Sequence, residues 1–206
     1  MSHIELLLEE QSIVPVIESA LSQILTQEDT YALRVFQGKP DLLRQLPTRL
    51  KGYEWMASDP NFAIVIVVDR DDDDCRELKS RIRNRYTGGQ IVFKSQGSTD
   101  WHALVRIVVE EMEAWLFGDW EAVCAAFPKV KPSVISKAAY RHSDDVAGGT
   151  AEAFQRVLRG AGYESIAPSK TSVATMVAKH MKIERNTSPS FRQFCNGIRS
   201  ALQRTA

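Results

Sequence analysis

Asp69 and Asp71 stand two residues apart, directly behind the apolar run Phe62 to Val68. In an extended chain, side chains at i and i+2 point to one side, so a single divalent ion can meet both carboxylates. Magnesium is a hard cation that takes oxygen ligands, commonly one or two carboxylates with water and substrate phosphate. A solvated acidic turn capping the next helix accounts for the same pair equally well, and it suffices for Asp72, Asp73 and Asp74. Glu9 and Glu10 also follow an apolar run, Ile4 to Leu8, so one of them could complete a cluster. In isolation they read as a solvated helix start. Glu113 lies in an acidic, aromatic stretch with Glu110, Glu111 and Trp115. It is either an outer metal ligand or a surface acid over a packed indole, and by itself the surface reading is the simpler.

Competing templates fail on spacing. An EF-hand loop starting at Asp69 would need Gly at position 6 and Glu at position 12, where the chain has Asp74 and Ser80. A dehalogenase-type phosphatase puts its Asp-x-Asp near the chain start with Thr or Val two residues on, and here Asp73 stands there. No Walker loop, GxGxxG, HExxH or GxSxG occurs. The histidines His3, His102, His142 and His180 show no ligand spacing.

The elements that must position these residues follow from hydrophobic periodicity. Ile4–Leu8, Tyr31–Phe36, Phe62–Val68, Ile91–Lys94 and Leu104–Val109 read as strands. Helical spacing falls between them, after Ile13, around Asp41–Leu50, from the Asp run to about Tyr86, and over Glu110–Phe117. The unbroken β-branched run Phe62–Val68 suits a central parallel strand covered on both faces. Strands alternating with helices imply an α/β fold with a mainly parallel sheet. Ligands of such sheets bind outside the carboxyl ends of the strands, where Asp69 would sit.

Of the 206 residues, 26 are basic and 26 acidic. The zero sum hides a division. Residues 1–128 carry 13 basic and 21 acidic side chains, and residues 129–206 carry 13 and 5. We therefore expect an α/β core over 1–128 and a mostly helical, basic region over 129–206, packed as one structural unit. In the basic part Lys170, Arg185 and Arg192 are candidates for phosphate contact; a merely soluble basic surface is the alternative. Ser188 before Pro189 also resembles a helix N-cap with proline at the first helical position. The longest apolar run has seven residues, far short of the roughly 20 that span a bilayer. No secretory signal is visible, and Cys75, Cys124 and Cys195 form no CxxC pair. A cytoplasmic protein without membrane association is expected.

Several ordered blocks carry a resemblance across the whole chain. They are Leu-Leu-Glu-Glu-Gln-Ser near the start, Gly38-Lys39-x-x-Leu42-Leu43, Asp69-Arg-Asp71 with Cys75-Arg76-x-Leu78-Lys79, Glu113-Ala-Trp115-Leu-Phe-Gly118-Asp119, Lys170-Thr171 and Asn186-x-Ser188-x-Ser190-Phe191. Together they resemble the bacterial domain-of-unknown-function family 4276, which is grouped with TOPRIM-like (Rossmann-like) domains of topoisomerases, primases and OLD-type nucleases. The resemblance implies that Glu9 takes the TOPRIM glutamate position and Asp69 and Asp71 the aspartate pair, jointly holding Mg²⁺ or Mn²⁺. It implies Glu113 as a further metal ligand and Lys170 as the assisting lysine. Glu10 stands where many TOPRIM domains have Gly. The family's context implies an AAA or ABC-type ATPase partner in phage-defence loci.

The function expected on these grounds is a metal-dependent nuclease acting on DNA or RNA, with catalytic Glu9, Asp69, Asp71, Glu113 and Lys170, and possible as a homodimer. A catalytically silent ATPase-binding partner is the alternative from another class. An Asp-x-Asp phosphatase or glycosyltransferase is the third.

Overall fold

The computed structural model describes residues 1–163 and 169–203. Four strands, β1 (His3–Leu8), β2 (Thr30–Val35), β3 (Phe62–Asp69) and β4 (Ala103–Val108), form one sheet in the order β2-β1-β3-β4. β1 runs parallel to both neighbours, with Leu8 opposite Val35 on one side and Val67 on the other. Parallel neighbours need long crossovers. These contain α1 (Val14–Ile24), α2 (Lys39–Gly52) and α3 (Cys75–Arg83). The α/β architecture expected from the alternating patterns is the one observed. All eight residues of β3 are buried, as a covered central strand requires.

One sheet face, presenting Leu7, Ile64, Ile66, Val68, Val105 and Ile107, packs against α2 and α3. The α2 contribution is Leu42, Leu43, Leu46 and Leu50, one stripe of a helix, and that of α3 is Leu78 and Ile82. Pro47 lies inside α2. Its ring nitrogen has no proton, so the helix continues past it with one hydrogen bond missing.

Two local expectations are corrected. Residues 91–94 form no strand; a single bridge joins Phe93 to Ala103. The Val92 carbonyl and the Lys94 amide bond the backbone of His102 and Ala103, but the Val92 amide is diverted to Nδ1 of the buried His102. The other ring nitrogen, Nε2, therefore carries the proton and donates to the Ala57 carbonyl at 2.9 Å. His102 is a clamp, not an incidental residue. The helix expected from Glu110 begins only at Glu113, since Glu110 itself has φ of 59°.

After β4 come α4 (Glu113–Gly118), α5 (Trp120–Ala126), α6 (Thr150–Gly160), α7 (Lys170–Ala178) and α8 (Pro189–Leu202). The chain divides into two compact units. The first comprises Met1–Gln11, Ile24–Ile107 and the stretch from Asn196; the second comprises Ser12–Gln23 and Val108–Cys195. The change of charge at residue 128 falls inside the second unit and does not mark the division. Among the described residues, no helix is long and apolar enough to cross a membrane.

The second unit is aromatic at its centre. Trp115 packs on Phe191 and Phe194, and Phe117 on Trp120, Tyr140 and Phe154. Polar bonds fix the register of these contacts. Trp115 Nε1 donates to Ser190 Oγ at 2.9 Å, and Asn186 Nδ2 donates to the Trp115 carbonyl at 2.8 Å. Gly118 makes this approach possible, because a Cβ there would lie 2.1 Å from Asn186 Oδ1. Gly118→Ala is expected to lower stability by about 1–3 kcal/mol, the usual scale of overpacking. A lowered urea midpoint with unchanged slope would show it.

Candidate functional site

The site begins with two adjacent strand ends. Glu9 follows the last residue of β1, and its amide still bonds the Val67 carbonyl of β3 at 3.2 Å. Its Oε2 accepts the backbone N–H of Asp69 at 3.0 Å. The same carboxylate also accepts the backbone N–H of Lys39, the first residue of α2. Gly38, with φ of 87°, cannot supply a capping side chain, so Glu9 caps α2 from outside the helix. The Gly38 amide in turn donates to the Glu9 carbonyl at 2.9 Å. Glu9 thus ties together β1, β3 and the positive end of α2, where a carboxylate is favoured.

Asp69, the last residue of β3, is buried at 7% exposure. The chain then leaves the extended conformation, and Asp71 takes φ of 49°. The premise that Asp69 and Asp71 share one face of an extended segment is therefore corrected. Asp71 turns instead to Lys39. Lys39 Nζ donates to Asp71 Oδ2 at 2.7 Å, Asp73 Oδ2 at 2.8 Å and the Arg70 carbonyl at 3.3 Å, which engages all three of its protons. Arg81 adds a bond to Asp73 at 2.9 Å. Asp74 alone performs the expected capping, accepting the amides of Arg76 and Glu77 at the start of α3. Asp73 is an ion-pair partner rather than a cap.

Burial pushes the Glu9 carboxyl above the ordinary glutamate value of 4.5, and the negative Asp71 adds to this. The Asp69 amide and the Lys39 ammonium oppose that shift without cancelling it. For Lys39, burial favours the neutral amine, but Asp71 and Asp73 outweigh it and hold the ammonium above its usual range. Asp73 is held below the carboxylate range, first by Lys39 and then by Arg81.

Among the described residues, no three His, Cys, Asp or Glu side chains are gathered as a ready metal cage. The donor chemistry nevertheless fits a hard divalent cation: Glu9 and Asp69 end adjacent strands, and Asp71 lies within electrostatic reach of Glu9. The lysine ammonium already serves as a cation beside them. Lys39 is the functional candidate that the spacing arguments passed over. The available signal was a lysine at the first position of a helix, where the macrodipole disfavours positive charge.

The remaining candidates lie in the second unit. Glu113 is buried in the first turn of α4. Lys170 Nζ is 3.5 Å from Glu111 Oε1. Arg185 is committed to the buried Asp119 through Nε at 3.2 Å and Nη2 at 3.1 Å, and also pairs with Glu121. Arg192 Nε donates to the Asn186 carbonyl at 2.8 Å. Ser188 is indeed the cap of α8, its Oγ accepting the Phe191 amide at 3.1 Å. Internal partners thus hold the three cations expected to meet phosphate.

The raised proton affinity of Glu9 gives a signed pH effect. Its contribution to stability is intact below pH 4.5 and declines as pH rises through the elevated folded-state value. The stability difference between Glu9→Gln and wild type should therefore move in the variant's favour from acid to neutral pH. Denaturant titrations across that range would measure it, and a flat difference would contradict the burial account.

The search of curated proteins gave no match. Among solved structures, the C-terminal region of the Burkholderia pseudomallei OLD protein superposes with a TM-score of 0.50 at 13% identity, covering 98% of this chain and 99% of that one. At that identity the likeness shows the fold, which is of TOPRIM type. A family model, the domain of unknown function DUF4276, matches residues 8–199. The chain belongs to the DUF4276 family.

Proposed function

We propose that this chain is a divalent-metal-dependent nuclease of TOPRIM type, acting on phosphodiester bonds of DNA or RNA. One observation carries the reading: Glu9 and Asp69 end adjacent parallel strands, and Glu9 reaches across to the Asp69 amide. Glu9, Asp69 and Asp71 would hold the cation, Mg²⁺ or Mn²⁺. That cation would polarise the scissile phosphate and lower the pKa of water.

The protein's own residues set the conditions for this. Glu9 must be ionised, which its burial resists and its two amide bonds favour. Asp71 must exchange its bond to Lys39 for the cation, and Lys39 keeps Asp73 as it does so. A lysine so released carries positive charge beside the strand ends, where it can offset charge developing on a phosphate.

Purified protein with Mg²⁺ or Mn²⁺ should cleave DNA or RNA. Glu9→Gln and Asp69→Asn should each slow cleavage on the order of a hundredfold or more, the scale of losing one electrostatic contact to the transition state. Wild-type rates in both variants would overturn the reading. Lys39→Met offers a check independent of turnover. With the resident ammonium gone, Mn²⁺ should bind at least about fivefold tighter by calorimetry, the low end of typical couplings between two sites. Weaker binding would mean that Lys39 builds the loop rather than competes within it.

A second reading has its own support. Lys39 satisfies Asp71 and Asp73 without any metal, as a catalytically silent module would need. Such a module would dock on the AAA or ABC-type ATPase that the family resemblance implies, within an anti-phage defence system. Asp69→Asn would then leave defence intact while cleavage stays absent with either metal.

A further inference from the structure

The N-terminal end of α2 serves the carboxylates; its other end presents a different surface. The short 3₁₀ turn Glu54–Met56 continues α2 almost without a break. Arg44, Thr48, Gly52 and Trp55 follow at spacings of four, four and three, which puts them along one helical face. That face is turned from the core, which takes Leu42, Leu43, Leu46 and Leu50.

Trp55 is the outlier among the four tryptophans. Its residue is 77% exposed, whereas Trp101, Trp115 and Trp120 are 2%, 0% and 7% exposed. The last turns of α2 carry a groove of about 410 Å³ lined by Arg44, Gln45, Thr48, Arg49, Gly52 and Tyr53, and Trp55 follows its last lining residue by two positions. The groove is open at Gly52, where a Cβ would meet nothing within 4 Å. Arg49 and Lys51 are exposed, and among the described residues neither pairs with an acid. The nearby acids are engaged: Asp41 bonds Arg44 and Gln45, and Glu54 accepts the Tyr86 hydroxyl.

We propose that Trp55, with Arg49 and Lys51, forms a binding face for single-stranded nucleic acid. A base stacks on the indole, and the flanking phosphates meet the cations. The charges of the face are complementary to a polyanion. An aromatic plane beside a cationic groove is the combination by which proteins hold single strands without reading sequence. An acidic peptide would satisfy the cations but leave the indole without a planar partner. The inference rests on the nuclease reading and deepens it: the substrate offers unpaired nucleotides to α2.

The test is direct binding in EDTA at low salt, so that it needs no metal and no cleavage. Oligo-dT, oligo-U and a duplex of equal length would be titrated against the intrinsic fluorescence of the full chain. Single strands should quench the tryptophan signal, with the DNA and RNA arms showing which sugar is preferred. Trp55→Ala should weaken binding about tenfold, within the range of one base–aromatic stack, while Trp55→Phe retains most of it. Replacing Arg49 and Lys51 together with alanine should reduce the salt slope by about one to two. All these side chains are exposed, so the variants should match wild type in circular dichroism. Three results would overturn the proposal: no binding of single strands, binding indifferent to Trp55, or equal Trp55-dependent binding of poly-glutamate or anionic vesicles. The nuclease reading fails separately, if strands bind through Trp55 yet neither Mg²⁺ nor Mn²⁺ supports cleavage.

Discussion

Everything near the strand ends depends on balancing negative charge. Glu9 and Asp69 stand at the carboxyl ends of two neighbouring strands with Asp71 and Asp73 in the loop behind them, and the negative Asp71 disfavours the ionisation of Glu9. Three sources of positive potential compensate: the amide end of α2 at Glu9, the Lys39 ammonium at Asp71 and Asp73, and the Arg81 guanidinium at Asp73. Lys39 resolves an apparent contradiction in this balance. A lysine at the first position of a helix opposes the dipole, yet here its ammonium leaves the helix axis for a loop that needs it more.

The fold was largely legible because burial leaves a direct imprint on sequence. Phe62–Val68 is a continuous apolar run because it is a central strand, and Leu42, Leu43, Leu46 and Leu50 recur because α2 covers it. Residues 91–94 have the same apolar look but pair only with His102 and Ala103 at the start of β4, which pattern alone cannot reveal. At the site, strand ends located Glu9 and Asp69. The turn at Asp71 was not legible, since a non-glycine residue with positive φ has no mark in an Asp-rich stretch. Nor was Lys39, whose partners lie more than 30 residues away in the chain. His102 was missed for the same reason: its role is set by Ala57 and Val92, not by neighbours in sequence.

The blocks that carry the family resemblance divide by physical role. Those around Glu9, Gly38-Lys39 and Asp69 converge on the strand ends. Those around Trp115-Gly118-Asp119 and Asn186-Ser188-Ser190 instead meet each other inside the second unit, where Gly118 admits Asn186, Ser190 holds the Trp115 indole and Asp119 holds Arg185. A block that carries a family resemblance can thus be a packing device. Arg185 looked like a ligand for phosphate because its counter-ion, Asp119, is distant in sequence and almost wholly buried.

Pro47 gives α2 a weak joint between its two ends. A helix with an unbroken hydrogen-bond ladder frays and re-forms as one cooperative body, so disturbance at either end is felt at the other. The missing bond separates the first turns, anchored by Glu9 and Lys39, from the last turns that carry Arg49, Gly52 and the approach to Trp55. The leucines on both sides of Pro47 nevertheless enter one core, Leu42, Leu43 and Leu46 before it and Leu50 after it. Packing rather than the backbone ladder therefore carries the helix past its missing bond. One helix can in this way hold two different surfaces at its ends with a single stripe of buried side chains.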